Sequence, residues 1–146
     1  MSIELEIRPY QPNDKPRLLE IWRQASIVGH PFFTEQQLDE QAKAVAAIYL
    51  PRAENWVATC NELPVGFIGL LDGFIGGLFV DPAFHAQGIG RALVEHAARL
   101  KGRLELEVYS LNKGASRFYK RLGFREVSRR DIDDNGLPFE LLRLER

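Results

Sequence analysis

The sequence predicts an α+β fold, in which a mixed, mostly antiparallel sheet of about seven strands carries four helices, with a parallel pair near its middle. Three observations predict it. Several short runs alternate apolar and polar residues with a period of two, and four other runs repeat apolar residues at helical spacing. Between them, only the strand–helix–strand unit from Phe74 to Val108 demands parallel pairing, since that connection needs a crossover.

Taken in order, Ile3, Leu5 and Ile7 alternate with Glu4, Glu6 and Arg8 as a strand with one wet face, closed by Pro9. Pro16 fits a first helical turn, and Leu18, Ile21, Trp22 and Ala25 form the apolar stripe of a first helix. A loop is expected over Ser26 to Phe33. Thr34 with Gln37 is a capping-box signature, and Leu38, Ala42, Val45 and Tyr49 mark a second helix that Pro51 is expected to stop. Asn55 to Cys60 and Val65 to Leu71 read as strands joined by the turn Asn61 to Pro64, and Asp72-Gly73 is a hairpin signal before Phe74 to Val80. Gly76-Gly77 weakens that last strand and marks a bulge or a close approach. Ile89, Leu93, Ala97 and Leu100 give a third helix, and Leu104 to Val108 a strand alternating with Glu105 and Glu107. A fourth helix fits Lys113 to Leu122, with Asn112 as N-cap and Gly123 where a left-handed residue belongs. Strands near Phe124 to Arg130 and Phe139 to Leu144 flank the polar turn Asp133-Asp134-Asn135-Gly136.

With 146 residues, 45% hydrophobic and 27% charged, the chain is expected to be one domain, 1–146, with a core of its own. A formal net charge of −1 offers no global pull toward nucleic acid or anionic lipid, which favours small-molecule chemistry. The single cysteine, Cys60, reads as a small buried hydrophobe, and a reducing compartment fits it. No apolar run approaches the roughly 20 residues of a membrane span, and Met1 to Tyr10 is too charged for a signal peptide. The expected location is cytoplasmic, as a monomer or homodimer. His30, His85 and His96, with one cysteine, are too scattered for a metal site.

The chemistry is concentrated around His85-Ala86-Gln87-Gly88-Ile89-Gly90, a glycine-bearing turn between a strand ending in Asp81-Pro82 and a helix. The first-turn N–H groups of that helix have no intrahelical partner and would suit a diphosphate, which glycines at 88 and 90 would not hold off; a plain tight turn is the other reading. Further on come Asn112, Ala115, Phe118, Tyr119, Gly123 and Phe124. With these two segments and the element order from Ile3 to Leu144, the chain closely resembles the GNAT superfamily of acyl-CoA N-acyltransferases.

The resemblance implies a fold in which Phe74 to Val80 lies parallel to Leu104 to Val108, the two splaying apart to admit pantetheine. It implies acetyl-CoA as co-substrate, with its pantetheine arm along the backbone of Leu78, Phe79 and Val80 and its diphosphate at His85, Ala86, Gln87, Gly88, Ile89, Gly90 and Arg91. Asn112, Ala115 and Phe118 are implied to touch the same molecule, though Asn112 reads equally as a helix cap. The chain departs from the family where His85 replaces the usual Arg or Gln and Ala86 stands where Gly is common. Weaker cofactor affinity is the expected result.

Ala115, Phe118 and Leu122 fall on one helical stripe, and Tyr119 is rotated about 100° from it, free to face a cleft. A phenol with pKa about 10 can protonate a departing thiolate whose conjugate acid lies near about 8.5. Within the motif that carries the resemblance, Tyr119 is the expected general acid; a half-buried tyrosine packing at the sheet edge is the other reading. His30 sits in the loop that, in this family, borders the acceptor pocket, beside Phe32 and Phe33; its ordinary pKa of about 6.5 suits a base, and shaping the pocket is its other reading. Glu105 and Glu107 read as a solvated strand face or as bases acting through water, and Asp131, Asp133 and Asp134 as a solvated turn or an attractor of a cationic acceptor. Arg117, Lys120, Arg121, Arg125, Arg129 and Arg130 read as an exposed charged face, or as a surface that meets the 3′-phosphate of CoA or an RNA. The expected activity is acetyl transfer to a primary amine of a small molecule or peptide; an acyl-CoA sensor without turnover and a toxin-like transferase on aminoacyl-tRNA are the alternatives.

Overall fold

The structure, a computed structural model, describes residues 4–146; Ile3, expected in the first strand, lies outside them. Among the described residues one sheet of seven strands runs in the order β1-β2-β3-β4-β5-β7-β6. The strands are β1 Leu5–Pro9, β2 Glu54–Cys60, β3 Leu63–Leu71, β4 Phe74–Val80, β5 Glu105–Tyr109, β6 Arg125–Arg130 and β7 Leu141–Glu145. All neighbours are antiparallel except β4 and β5. The helices are α1 Lys15–Gly29, α2 Glu35–Ala44, the single turn α3 Leu50–Arg52, α4 Ile89–Lys101 and α5 Lys113–Arg121.

Helices cover both faces of the sheet, because each face of its central strands is apolar. Against α4 and α5 lie Val65, Ile68, Leu70, Ile75, Leu106 and Leu144, packed with Ile89, Leu93, Val94 and Ala97. Against α1 and α2 lie Val57 and Phe67, packed with Leu18, Ile21, Trp22, Leu38 and Val45. Each large aliphatic side chain buried in this way stabilises the fold by about 1.5–3 kcal/mol.

Several expected boundaries move. The helical ladder of α1 runs through Ser26, whose carbonyl accepts the His30 N–H at 2.8 Å, so the loop begins at His30 rather than Ser26. Pro51 does not stop the second helix. A π-turn, Val45–Tyr49, carries the chain from α2 into α3, with the Leu50 N–H donating five residues back to Val45. Pro51 then occupies the first turn of α3, where no N–H is needed. Asn55 closes this end from the next strand: its Nδ2 donates to the carbonyls of Tyr49 (3.3 Å), Leu50 (3.0 Å) and Ala53 (3.2 Å). Leu100 is 48% exposed, and Val94 takes the inward place expected of it. The turn between β2 and β3 is the two-residue Asn61-Glu62, both with positive φ, as a tight hairpin requires.

The expected bulge is present and decides the shape of the site. Gly69 of β3 faces Gly77, yet Leu70 faces Ile75, so Gly76 is the extra residue in β4. Beyond it, β4 turns away from β5: the parallel pair has only two rungs, Phe74 with Glu105 and Ile75 with Leu106. Past Ile75, the β5-facing edge of β4 has no strand to pair with among the described residues.

Candidate functional site

A cleft of about 1340 Å³ opens where β4 and β5 part. Leu78, Phe79 and Val80 form one wall, Leu106 to Tyr109 the opposite wall, and α4 and α5 point their N-terminal turns at it. The far side is closed by the end of α1 and by α2.

The loop into α4 is held from below. Asp81 accepts the Ala83 N–H at 2.9 Å and pairs with Arg17 of α1 at 2.7 Å, while Arg17 Nε also donates to the Pro64 carbonyl at 3.0 Å. Burial works against the Asp81 charge, but the Ala83 N–H and the Arg17 guanidinium outweigh it and hold this carboxyl below its ordinary range. Ala86 has φ 62 and Gly88 φ 80, so both occupy left-handed backbone. For an alanine that conformation is strained, which is the structural cost of the missing glycine. The first i→i−4 bond of the helix runs from the Ala92 N–H to Gly88 at 3.0 Å, leaving the N–H groups of Ile89, Gly90 and Arg91 without partners inside the helix. Gly90 is small for another reason: a Cβ there would lie 3.1 Å from Phe118 Cζ.

Not every expected loop contact faces the cleft. His85, Ala86, Gly88, Ile89, Gly90 and Arg91 line it, whereas Gln87 is exposed elsewhere. The His85 ring folds back, its Nε2 lying 3.2 Å from the Val80 carbonyl. Asn112 Oδ1 accepts the Ala115 N–H at 3.1 Å, capping α5, and its amide also abuts Gly29, where a Cβ would come within 3.0 Å. It therefore joins the end of α1 to the start of α5 while lining the cleft with Ala115 and Phe118.

Tyr119 is more deeply set than its helical position suggests. The most buried line of α5 runs through Ser116 and Tyr119, while Ala115, Phe118 and Leu122 are half-buried. The ring packs edge-on to Phe118 (5.1 Å) and Phe124 (5.4 Å), yet the residue lines the cleft, and among the described residues its hydroxyl has no hydrogen-bond partner. Burial pushes its phenol above the ordinary value, so it holds its proton at neutral pH.

His30 stands on the cleft wall, but not with the ordinary pKa expected of it. Burial lowers it to about 4, among the rings of Phe32 (5.6 Å), Phe33 (5.8 Å) and Tyr109 (5.1 Å). Phe32 and Phe33 themselves lie behind the wall rather than on it, packed on Phe139 at 5.0 and 5.2 Å. Asp133 is a structural residue: it is buried, takes the Tyr109 hydroxyl at 2.9 Å and accepts the N–H groups of Asn135 and Leu137. Burial and this carboxylate together raise the Tyr109 phenol well above its ordinary value.

Sequence reasoning missed Tyr109, and it placed Glu107 on a solvated face. Glu107 lines the cleft and takes a bidentate grip from Arg130, at 2.8 and 3.0 Å, while Arg130 also reaches Asp134 at 2.7 Å. The period-two alternation of β5 puts Glu107 and Tyr109 on one face and was the available signal. Arg117, Lys120, Arg121, Arg125 and Arg129 are exposed, as expected. Among the described residues, no group of three His, Cys, Asp or Glu is placed to hold a metal ion, and no helix is long and apolar enough to cross a membrane.

With this geometry in view, residues 51–126 match the family described as Acetyltransferase (GNAT) domain. The chain is 38% identical over 141 residues to peptidyl-lysine N-acetyltransferase YjaB of Salmonella typhimurium, covering 96% of this chain and 97% of the relative. It is 34% identical over 133 residues to peptidyl-lysine N-acetyltransferase YiaC of Escherichia coli, covering 90% of this chain and 91% of that protein. Among solved structures, the apo form of YjaB from Escherichia coli superposes with a TM-score of 0.89 at 34% identity, covering 97% of this chain and 96% of that one. The fold is also shared with PaiA N-acetyltransferase from Thermoplasma acidophilum, solved with coenzyme A, at a TM-score of 0.79 and 18% identity, covering 98% of each chain.

Proposed function

The chain belongs to the GNAT family of N-acetyltransferases, and on that premise we propose that it moves the acetyl group of acetyl-CoA onto the ε-amine of a lysine side chain in a peptide or protein, by direct attack with both substrates bound. The acceptor class is supported by relatives named for peptidyl-lysine that align over nearly the whole chain. Residues 1–146 act in this reading as one N-acetyltransferase domain working in the cytoplasm.

The parting of β4 and β5 beside the α4 N-terminus carries the proposal. The residues present fit an extended amide-bearing arm ending in a diphosphate. The unpaired edge of β4 at Leu78, Phe79 and Val80 takes the pantetheine as an added strand. First-turn N–H groups at Ile89, Gly90 and Arg91 hold the diphosphate, at about 0.3–1 kcal/mol for each contact with the helix end. His85, Ala86 and Gly88 shape the same loop, with exposed Gln87 at its rim. Asn112, Ala115 and Phe118 close the cleft over the arm.

Acetyl-CoA supplies the thioester. Backbone N–H groups of Leu78 and Val80, which point away from β3, hold its carbonyl oxygen while the amine nitrogen forms its bond to carbon. As the carbon–sulfur bond breaks, the Tyr119 hydroxyl gives its proton to sulfur and regains one, through solvent, from the acetylated nitrogen. Burial weakens Tyr119 as an acid, but the thiolate formed in the same dry cleft is equally costly to leave charged, so the transfer stays close to balanced. His30 serves as a neutral wall of the acceptor pocket backed by Phe32 and Phe33. With a pKa of about 4 it lies about six units below an ordinary ammonium, roughly 8 kcal/mol too weak to take that proton. Glu107 is occupied by Arg130, so the lysine enters as the neutral amine, having released its proton to bulk solvent beforehand at a cost of about 4–5 kcal/mol at pH 7.

Tyr119→Phe tests the assignment. Turnover with a lysine peptide is expected to fall about 100-fold or more, with acetyl-CoA affinity within about twofold of wild type. An unchanged kcat removes Tyr119 from the mechanism, and no CoA release from any lysine peptide overturns the reading as a whole.

A further inference from the structure

The cleft opens on both faces of the sheet, and its charges divide by face. Arg91 and Lys113, in the first turns of α4 and α5, line it on one side and form no ion pair among the described residues. On the side where α1 and α2 pack, its charged lining is Glu40 of α2, Glu107 of β5 and Asp134 of the β6–β7 turn. Glu107 and Asp134 share the guanidinium of Arg130. Glu40 is exposed and has no such partner among the described residues, so it is the carboxylate on this wall with its charge uncommitted. Its neighbour Gln41 lines the same wall, and the Gln41 amide nitrogen is shielded from solvent without a hydrogen-bond acceptor.

Resting on the lysine reading above, we propose that Glu40 determines specificity, selecting an acceptor lysine that has a second basic side chain beside it in the peptide. At the cofactor mouth the bound diphosphate offsets Arg91 and Lys113, so the wall that sorts a basic segment is the one on the other face. Three carboxylates against one guanidinium favour it on the α2 side. Gln41 fits the same occupant: once its side chain swings out of its shielded position, a peptide carbonyl passing along α2 supplies the acceptor its amide lacks, which a simple alkylamine does not carry. A single solvent-facing pair discriminates by a few-fold, and more at low ionic strength.

The test uses two N-terminally blocked peptides with one acceptor lysine, flanked by arginine in one and by glutamine in the other, with CoA release measured at about 20 mM and about 300 mM salt. Wild type is expected to prefer the arginine peptide about threefold to tenfold in kcat/KM at low salt, mostly through KM, with the preference shrinking at high salt. Glu40→Gln is expected to bring the ratio near one and Glu40→Lys to invert it. Glu35→Lys, an exposed change on the same helix at a residue that does not line the cleft, is expected to keep the wild-type ratio. Equal use of both peptides by wild type, an unaltered ratio in Glu40→Lys, or an equal shift in Glu35→Lys overturns the proposal. Acetylation of neither peptide overturns the lysine reading and this inference together.

Discussion

At the scale of single residues, His30 couples the pocket to pH. Its neutral form is protected by burial, with a pKa of about 4 against about 6.5 in the unfolded chain. As pH falls, the unfolded chain takes up the proton first. The stability from this site is therefore whole above about 6.5 and is lost progressively toward about 4, roughly 2 kcal/mol of it between pH 7 and pH 5. Urea unfolding at those two pH values is expected to show that loss, and His30→Gln to shrink the difference by about the same amount; an undiminished difference places the titration elsewhere. His96, also lowered by burial, is common to both proteins and cancels. The ring's neighbours decide this shift, and Tyr109 enters them from a strand far along the chain, which is why the sequence supplied only the ordinary value. Gly88 and Gly90 show the same limit: their positions were legible in the hexapeptide, but the positive φ of one and the Phe118 ring against the other were not.

At the scale of elements, local signals were read correctly where the partners are near neighbours. The capping box closes as expected, the Gln37 N–H donating to Thr34 Oγ1 at 3.1 Å and the Thr34 N–H to Gln37 Oε1 at 2.9 Å. The other end of that helical run was misread because its stabilising residue is tertiary. Pro51 announces a stop, yet Asn55 from β2 collects three carbonyls and allows another turn. Asn55→Ala leaves those groups near the core without their donor, and the expected loss is about 1–3 kcal/mol in equilibrium unfolding. A change below half of that would mean water replaces the amide. Its other side also constrains β3, since a Cβ at Gly69 would sit 2.8 Å from Asn55 Oδ1.

At the scale of the whole molecule, alternation and turn chemistry carried the strand count, and one crossover carried the parallel pair. Less legible was the order of the last three strands: β7 inserts between β5 and β6, although β6 precedes it in the chain. Nothing local in Leu141 to Glu145 marks it as central; burial of Leu141, Leu142 and Leu144 does, and burial is a property of the finished fold. If acetyl-CoA bridges the parted strands, it stabilises the native state alone. At about 100 times its Kd the gain is about 2.7 kcal/mol, or roughly 5–10 °C in Tm for a chain of this size, readable by scanning fluorimetry. An unmoved Tm at saturating CoA would mean the slit is not its seat.

The two-rung joint between β4 and β5 also bears on how the protein can be improved. Backbone groups past Ile75 are held apart, so the molecule sits below the sturdiest arrangement its own strands permit. A laboratory lineage bred only to survive heat would tend to zip that seam, and its hardiest descendants would be inert.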